Sequence, residues 1–413
     1  RRFARRLLGS FTELSTDSVD NAGPVMTRGG ILRVAINAPL RRLFDYLPPK
    51  GIGAVEKGMR VQVPFGRTRQ VGIVADIAAS SELPRARLKA ALEVLDDFPL
   101  LQEVDLELLR WAARYYAHPV GEVFSAALPA LLRKGRVLSP ERVILRPTDS
   151  GREADQEALA SRAPRQAGIL RKLIEAPVEK PDAAGIFGAG WNDAFRRLVE
   201  RGLCEQITEA RPVNTPPSVE FRSGPVLTDH QRAAVDAISG STPDDGPLLV
   251  FGVTGSGKTE VYLQAIDSVL KDGKQAMVLV PEIGLTPQLV RRFSSRFDCP
   301  MAVLHSGLSE KERLDAWLSA RDGSSPIIIG TRSAVFTPMP DCGLIVVDEE
   351  HDPSFKQQEG FRYSARDLAV VRGRLIGARV VLGSATPSLE SMKNAESGRY
   401  RRVDLPERPG ASS

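Results

Sequence analysis

Apolar positions along this 413-residue chain follow two rhythms, and the rhythm changes near residue 224. Upstream, residues 31–36, 60–63 and 71–74 are short β-type runs broken by Pro and Gly, with Pro64-Phe65-Gly66 as a turn. They predict a small, mostly β module. Leu106, Leu109 and Ala113 then repeat at helical spacing over 103–116. That helix is expected to stop before His118-Pro119, because a proline disfavours helical backbone in the residue ahead of it. Residues 134–158 show no period and read as a linker. Between 165 and 207, Ile169, Leu170, Leu173 and Ile174 mark one helical face. Phe195, Leu198 and Val199 mark another, closing on Gly202 and a strand start. The pattern fits a winged-helix-like unit over 159–212, and also a plain helical spacer.

A second linker, 213–223, carries Thr215-Pro216-Pro217. Beyond it, apolar runs at 248–251, 276–280, 302–304, 327–329, 344–347 and 380–382 alternate with helical stretches. Strands separated by helices mean a parallel sheet covered on both faces. The expected fold class is therefore α/β. A parallel-sheet lobe over 224–413 follows the mostly β module of 31–133 and the winged-helix-like domain. Residues 1–30 begin Arg1-Arg2-Phe3-Ala4-Arg5-Arg6, turn Ser/Thr/Asp/Gly-rich and read as a flexible basic arm. The first residue is not Met, so the chain is expected to start inside a longer one.

Composition narrows the class. At 42% hydrophobic and 26% charged residues the chain is of soluble globular type. No apolar run reaches the roughly 18 residues of a membrane span, so we expect no membrane partner and a cytoplasmic location. The net charge of +5 and a pI near 9.1 permit a nucleic-acid partner without requiring one. Cys204, Cys299 and Cys342 lie far apart and never pair as C-x₂-C. We therefore expect buried thiols, with no disulfide framework and no zinc bound by this chain.

The chemistry gathers behind the strand at 248–251. Gly252-Val253-Thr254-Gly255-Ser256-Gly257-Lys258-Thr259 fits G-x-x-x-x-G-K-[ST] between that strand and a helix. Glycines let the loop curl so that successive N–H groups face phosphate oxygens. Lys258 adds positive charge near the terminal phosphates, and the Thr259 hydroxyl can ligate Mg²⁺. The apolar strand at 344–347 ends in Asp348-Glu349-Glu350-His351. Asp348 can there hold Mg²⁺ through water, and Glu349 can orient and deprotonate an attacking water. Ser384 and Thr386, in Gly383-Ser384-Ala385-Thr386-Pro387, offer hydroxyls that could sense the terminal phosphate. Gln231, three residues after Thr228, has the placement of an adenine-reading glutamine, but the pattern alone favours a helix cap. Lys356 and Arg362 interleave with Phe355, Phe361 and Tyr363, suiting phosphate contact with base stacking. A partly buried edge is the alternative.

This order of motifs resembles the first, RecA-like motor lobe of superfamily 2 helicases. The strings Val280-Pro281-Glu282-Ile283-Gly284, Leu304-His305-Ser306-Gly307, Gly330-Thr331-Arg332-Ser333-Ala334 and Asp348-Glu349-Glu350-His351-Asp352 are similar to those of the primosomal protein N′ (PriA) family. The resemblance covers about residues 31–403. It implies an ATP- and Mg²⁺-dependent, 3′-5′ replication-restart DNA helicase, with His351, Ser384 and Thr386 coupling nucleotide state to DNA. The 356–363 run would be the family's aromatic-rich DNA-coupling loop. It further implies that Phe44, Asp45, Gly66 and Lys89 form a pocket for a nascent 3′ end. Read without it, Phe44 is a core residue. Forked DNA, single-stranded DNA-binding protein and primosome or helicase-loading proteins would be the partners. A second motor lobe with an arginine finger, and a cysteine-rich zinc region, would lie in a missing carboxyl-terminal portion. A non-enzymatic fork-binding scaffold is the rival reading; a translocase outside replication is a third, which a 3′-end pocket argues against.

Overall fold

The computed structural model describes residues 30–50, 54–138, 141–210 and 219–408. The basic arm expected over 1–30 and most of the second linker lie outside the described residues.

β1 (Ile31–Ile36), β2 (Phe44–Tyr46), β3 (Arg60–Phe65), β4 (Thr68–Ala78) and β5 (Glu93–Val94) form an antiparallel sheet ordered β2-β1-β4-β3-β5. The segment ahead of β5 also bridges β2's end, with Leu47 facing Ala90, so the sheet curls towards closure. Val34, Val61, Val63 and Val74 fill its inside. The helix Glu103–Tyr115 buries Leu106, Leu109 and Ala113, as their spacing requires, and ends before Pro119. Inside this module Arg60 and Asp96 form an ion pair with both side chains at 1% exposure or less.

The middle unit corrects one expectation. Residues 141–147, placed in a linker, form β6 (Glu141–Pro147), which pairs along its length with β8 (Cys204–Ala210) and briefly with β7 (Val178–Glu179). The strand lacks alternation, so no local period marks it; its hydrogen bonds come from a partner about 60 residues away. The helices Pro164–Glu175 and Trp191–Glu200 pack Ile169, Leu170, Leu173, Phe195 and Leu198 against Leu145.

The last unit begins inside the second expected linker. β9 (Glu220–Phe221) pairs with β12 (Phe297–Asp298), and Arg296 lies over the Phe221 ring. β10 (Leu248–Gly252), β11 (Gln275–Leu279), β13 (Met301–Leu304), β14 (Ile327–Gly330), β15 (Cys342–Asp348), β16 (Arg379–Ser384) and β17 (Arg401–Leu405) make one parallel sheet. Its order is β13-β14-β11-β15-β16-β10-β17. The inner strands are mostly apolar and buried because helices cover both faces. β17 went unforeseen: an edge strand can keep polar residues, and Arg401, Arg402 and Asp404 are exposed. The β module docks on this lobe. Trp317 Nε1 donates to Ala127 O at 3.0 Å, and Arg321 donates to Pro99 O and Leu100 O. Among the described residues no helix is long and apolar enough to cross a membrane.

Candidate nucleotide and DNA sites

β10 delivers the chain to its phosphate loop at the carboxyl edge of the sheet, where open α/β sheets place ligands. Gly255 and Gly257 both have φ near +83°, a left-handed backbone that residues with a Cβ avoid. The helix Lys258–Lys271 starts directly after them. Lys258 is buried; its Nζ donates to Gly252 O at 3.0 Å and stands 3.5 Å from Glu349 Oε1. Thr259 follows in the first helical turn. Ser256 Oγ is buried in the loop without a hydrogen-bond partner among the described residues. An unpaired hydroxyl beside a buried ammonium and curled N–H groups fits an anionic phosphate. Gln231 serves as cap and loop brace together. Its Oε1 accepts from Thr228 N at 3.0 Å, and its Nε2 donates to Ser256 O at 2.8 Å. Gln231, Gly257, Thr259 and Glu260 border a cleft of about 400 Å³.

Facing the loop, β15 ends in the acids. Asp348 Oδ1 accepts from Tyr262 O–H at 3.0 Å. Burial, then the neighbouring Glu349 charge, push the Asp348 carboxyl above its usual range. A divalent cation would relieve that pair, so the donor set fits Mg²⁺ held by Asp348 with Thr259. Tyr262 lies one helical turn after Lys258, and no motif in the sequence marks it. Its hydroxyl fills the space over Gly383, where a Cβ would stand only 1.6 Å away. Glu349 has φ +48°, an uncommon backbone for a residue with a side chain and one that clusters at functional sites. The adjacent Glu350 holds that bend. It is buried, accepts from Arg366, Ser388 and Ser391, and its N–H donates to Gly383 O. His351 Nδ1 is hydrogen-bonded to Ser384 Oγ at 2.7 Å, and Ser384 Oγ accepts from Thr386 N at 2.9 Å. The three candidate coupling residues are thus one connected group, 3.6 Å from Glu349 Oε2.

The 356–363 loop corrects a second expectation. Phe361 and Tyr363 are each 8% exposed and present no face for a base. Phe361 packs on Tyr116, His118, Phe336 and Tyr363 at centroid distances of 4.9–6.0 Å. Their apolar area is spent where the β module meets the lobe. Ser364 N donates to the Tyr116 hydroxyl oxygen at 3.1 Å at the same junction. Lys356 and Arg362 remain exposed.

The other group comes together around β2. Phe44 is half-buried against Phe65, edge to face at 5.1 Å, with Arg42 over its ring. Asp45 accepts from Ser81 Oγ at 2.5 Å. Leu47 N donates to Lys89 O, which sets Lys89 beside the end of β2. Gly66 turns the β3–β4 hairpin at φ +58° with open space where a side chain would be. Tyr46 O–H donates to Pro64 O at 3.0 Å and ties that hairpin to β2.

Family models divide the chain along the same lines. Residues 33–129 match the PriA 3′ DNA-binding domain (3′BD), and residues 228–395 match the DEAD/DEAH box helicase family. Replication restart protein PriA of Haemophilus influenzae is 43% identical over 392 residues, covering 93% of this chain and 53% of that protein. Over nearly its whole length the chain is similar in sequence to PriA. The Chlamydia pneumoniae PriA is 35% identical over 390 residues, 92% of this chain and 51% of that protein. The Bacillus subtilis PriA is 33% identical over 435 residues, 89% and 54% respectively. This PriA-like chain spans about half the length of the curated relatives it matches.

Proposed function

We propose that this chain is the fork-recognising and nucleotide-binding part of a bacterial, cytoplasmic replication-restart DNA helicase. The observation that carries the reading is Lys258 set 3.5 Å from Glu349 across a phosphate loop, in a lobe on which a module matching a 3′ DNA-binding domain is docked. Lys258 and the loop N–H groups would hold ATP phosphates. Thr259 and Asp348 would hold Mg²⁺, which neutralises developing charge when bound. Glu349 would orient the attacking water, and His351, Ser384 and Thr386 would pass the nucleotide state to DNA through Lys356 and Arg362. Movement would run 3′ to 5′. Forked DNA with a nascent 3′ end, single-stranded DNA-binding protein and primosome or helicase-loading proteins would be partners. Zinc would belong to the other half of the full-length protein. A non-enzymatic fork scaffold has one observation in its favour: Arg332 and Arg366 are both engaged structurally, to Ser354 O and Lys356 O and to Glu350.

Lys258→Ala in the full-length protein is expected to abolish ATP turnover while fork affinity stays within about twofold, since the candidate DNA contacts lie elsewhere. Parallel loss of both activities in a folded variant would refute that division. Asp45 provides the second test. Asp45→Ala is expected to remove most of the preference for a fork ending in a 3′-hydroxyl over one ending in a 3′-phosphate. A carboxylate accepts from the hydroxyl and repels the phosphate. An unchanged affinity ratio would return Asp45 to its contacts with Ser81 and Arg33 alone.

A further inference from the structure

Between the β module and its own helices lies a cleft of about 340 Å³. β4 forms one wall; the helix Val120–Ala126 and the short helix Ala130–Arg133 form the other. Its polar lining includes Asn37, Arg69, Gln70, Ser125, Arg133 and Lys134, and no carboxylate among the described residues lines it. Lys134 is engaged by Glu310 of the lobe, 2.7 Å away. Arg69 and Arg133 have no side-chain partner among the described residues.

Both arginines stand on held supports. Arg133 ends a helix whose Leu132 carbonyl accepts from the buried Arg60 at 2.7 Å. Arg69 lies on β4 opposite Pro64, in the hairpin that Gly66 turns. Arg69 lies three positions after Gly66, at most about 10 Å of extended chain. That is short enough for one strand of a duplex to meet both. No aromatic ring lines the cleft, so it offers donors to phosphate oxygens and no platform for bases. Guanidinium forks with amide and hydroxyl donors are the chemistry of phosphodiester recognition.

We propose that this cleft grips the phosphodiester backbone of the duplex whose 3′ end enters the Phe44, Asp45, Gly66 and Lys89 pocket. The inference rests on reading the module as a 3′-end binder and adds a second, sequence-independent contact to it. Binding would fix how the duplex arm leaves the pocket and therefore how the fork faces the nucleotide lobe.

The test is the affinity of residues 1–413 for a duplex with a recessed 3′ end, measured by anisotropy across roughly 50 to 200 mM salt. Arg69→Gln with Arg133→Gln is expected to weaken binding equally for unrelated sequences. It should flatten the slope of log K against log salt by about 2, one per lost phosphate contact. The preference for a 3′-hydroxyl over a 3′-phosphate should persist, and the paired Arg→Lys variant should recover the wild-type slope. An unchanged slope and affinity overturn the cleft as a DNA site, including the case in which it serves an acidic protein partner instead. If the wild-type chain shows no 3′-end preference while the double variant still flattens the slope, the pocket reading fails and the cleft stands.

Discussion

Phosphate release by purified residues 1–413 is expected to stay at its basal rate when forked DNA is added. Hydrolysis needs positive charge delivered to the terminal phosphate as its charge develops, and an arginine finger supplies a factor of about 10³ to 10⁵. Lys258 and Glu349 face each other, but the two arginines closest to the motifs in sequence are committed elsewhere. Arg332 donates to Ser354 O and Lys356 O, and Arg366 donates to Glu350 and Ser388. Releasing Arg366 would strip a buried carboxylate of its ionic partner. Arg408 runs along the loop tip, its Cδ 3.7 Å from where a Cβ on Gly255 would stand. That places it over Gly255, and among the described residues no hydrogen bond ties it to Glu349. The described residues hold a single seven-stranded parallel sheet, so DNA has no second motor lobe here to close against the first. Colorimetric phosphate release with and without a fork decides the matter. Stimulated turnover that Lys258→Ala abolishes would show this lobe to be sufficient, and Arg408→Ala would then tell whether Arg408 supplies the charge.

Asp96→Ala is expected to destabilise the chain by about 3–5 kcal/mol, the range for stripping one partner from a buried ion pair. Arg60 Nη2 lies 2.5 Å from Asp96 Oδ1, and Arg60 Nε donates to both carboxylate oxygens. Arg60 N also donates to Asp96 Oδ2 at 2.7 Å. Removing the carboxylate leaves a guanidinium with no access to water. Replacing both residues together, Arg60→Met with Asp96→Leu, is expected to cost far less, because no charge is then stranded. Urea unfolding followed by fluorescence reads the difference as a midpoint shift at constant slope. A single-variant loss below about 1 kcal/mol would mean that water reaches the pair. The helix Ala130–Arg133 hangs from the same guanidinium, so Asp96→Ala should also weaken duplex binding at the cleft.

The chain's local spacings were enough to determine the lobe and where its candidate site residues lie. An apolar strand, a glycine-rich loop and an amphipathic helix place Lys258 at the sheet edge whatever lies around them, and an apolar strand closing in acids does the same for Asp348 and Glu349. Pattern and site coincide there because a parallel strand hands its ligand residues to the loop that follows it. What depended on distant partners was decided only by the tertiary structure. Phe361 and Tyr363 alternate with charges as a stacking platform would, yet the β module's Tyr116 and His118 cover Phe361, and Tyr363 packs on Phe336 and Phe361. Residues 141–147 lack a period and are a strand because Cys204–Ala210 lies alongside. Gln231 acts as both cap and brace because the folded chain sets Ser256 O against its amide. Glu350 reads as one acid among three until Arg366, Ser388 and Ser391 close around it and hold the bend at Glu349. Arg60 and Asp96, 36 residues apart, carry no signal that they share one dry site. Periodicity reports how a segment relates to its own axis, whereas burial and pairing between remote segments are set by the whole fold.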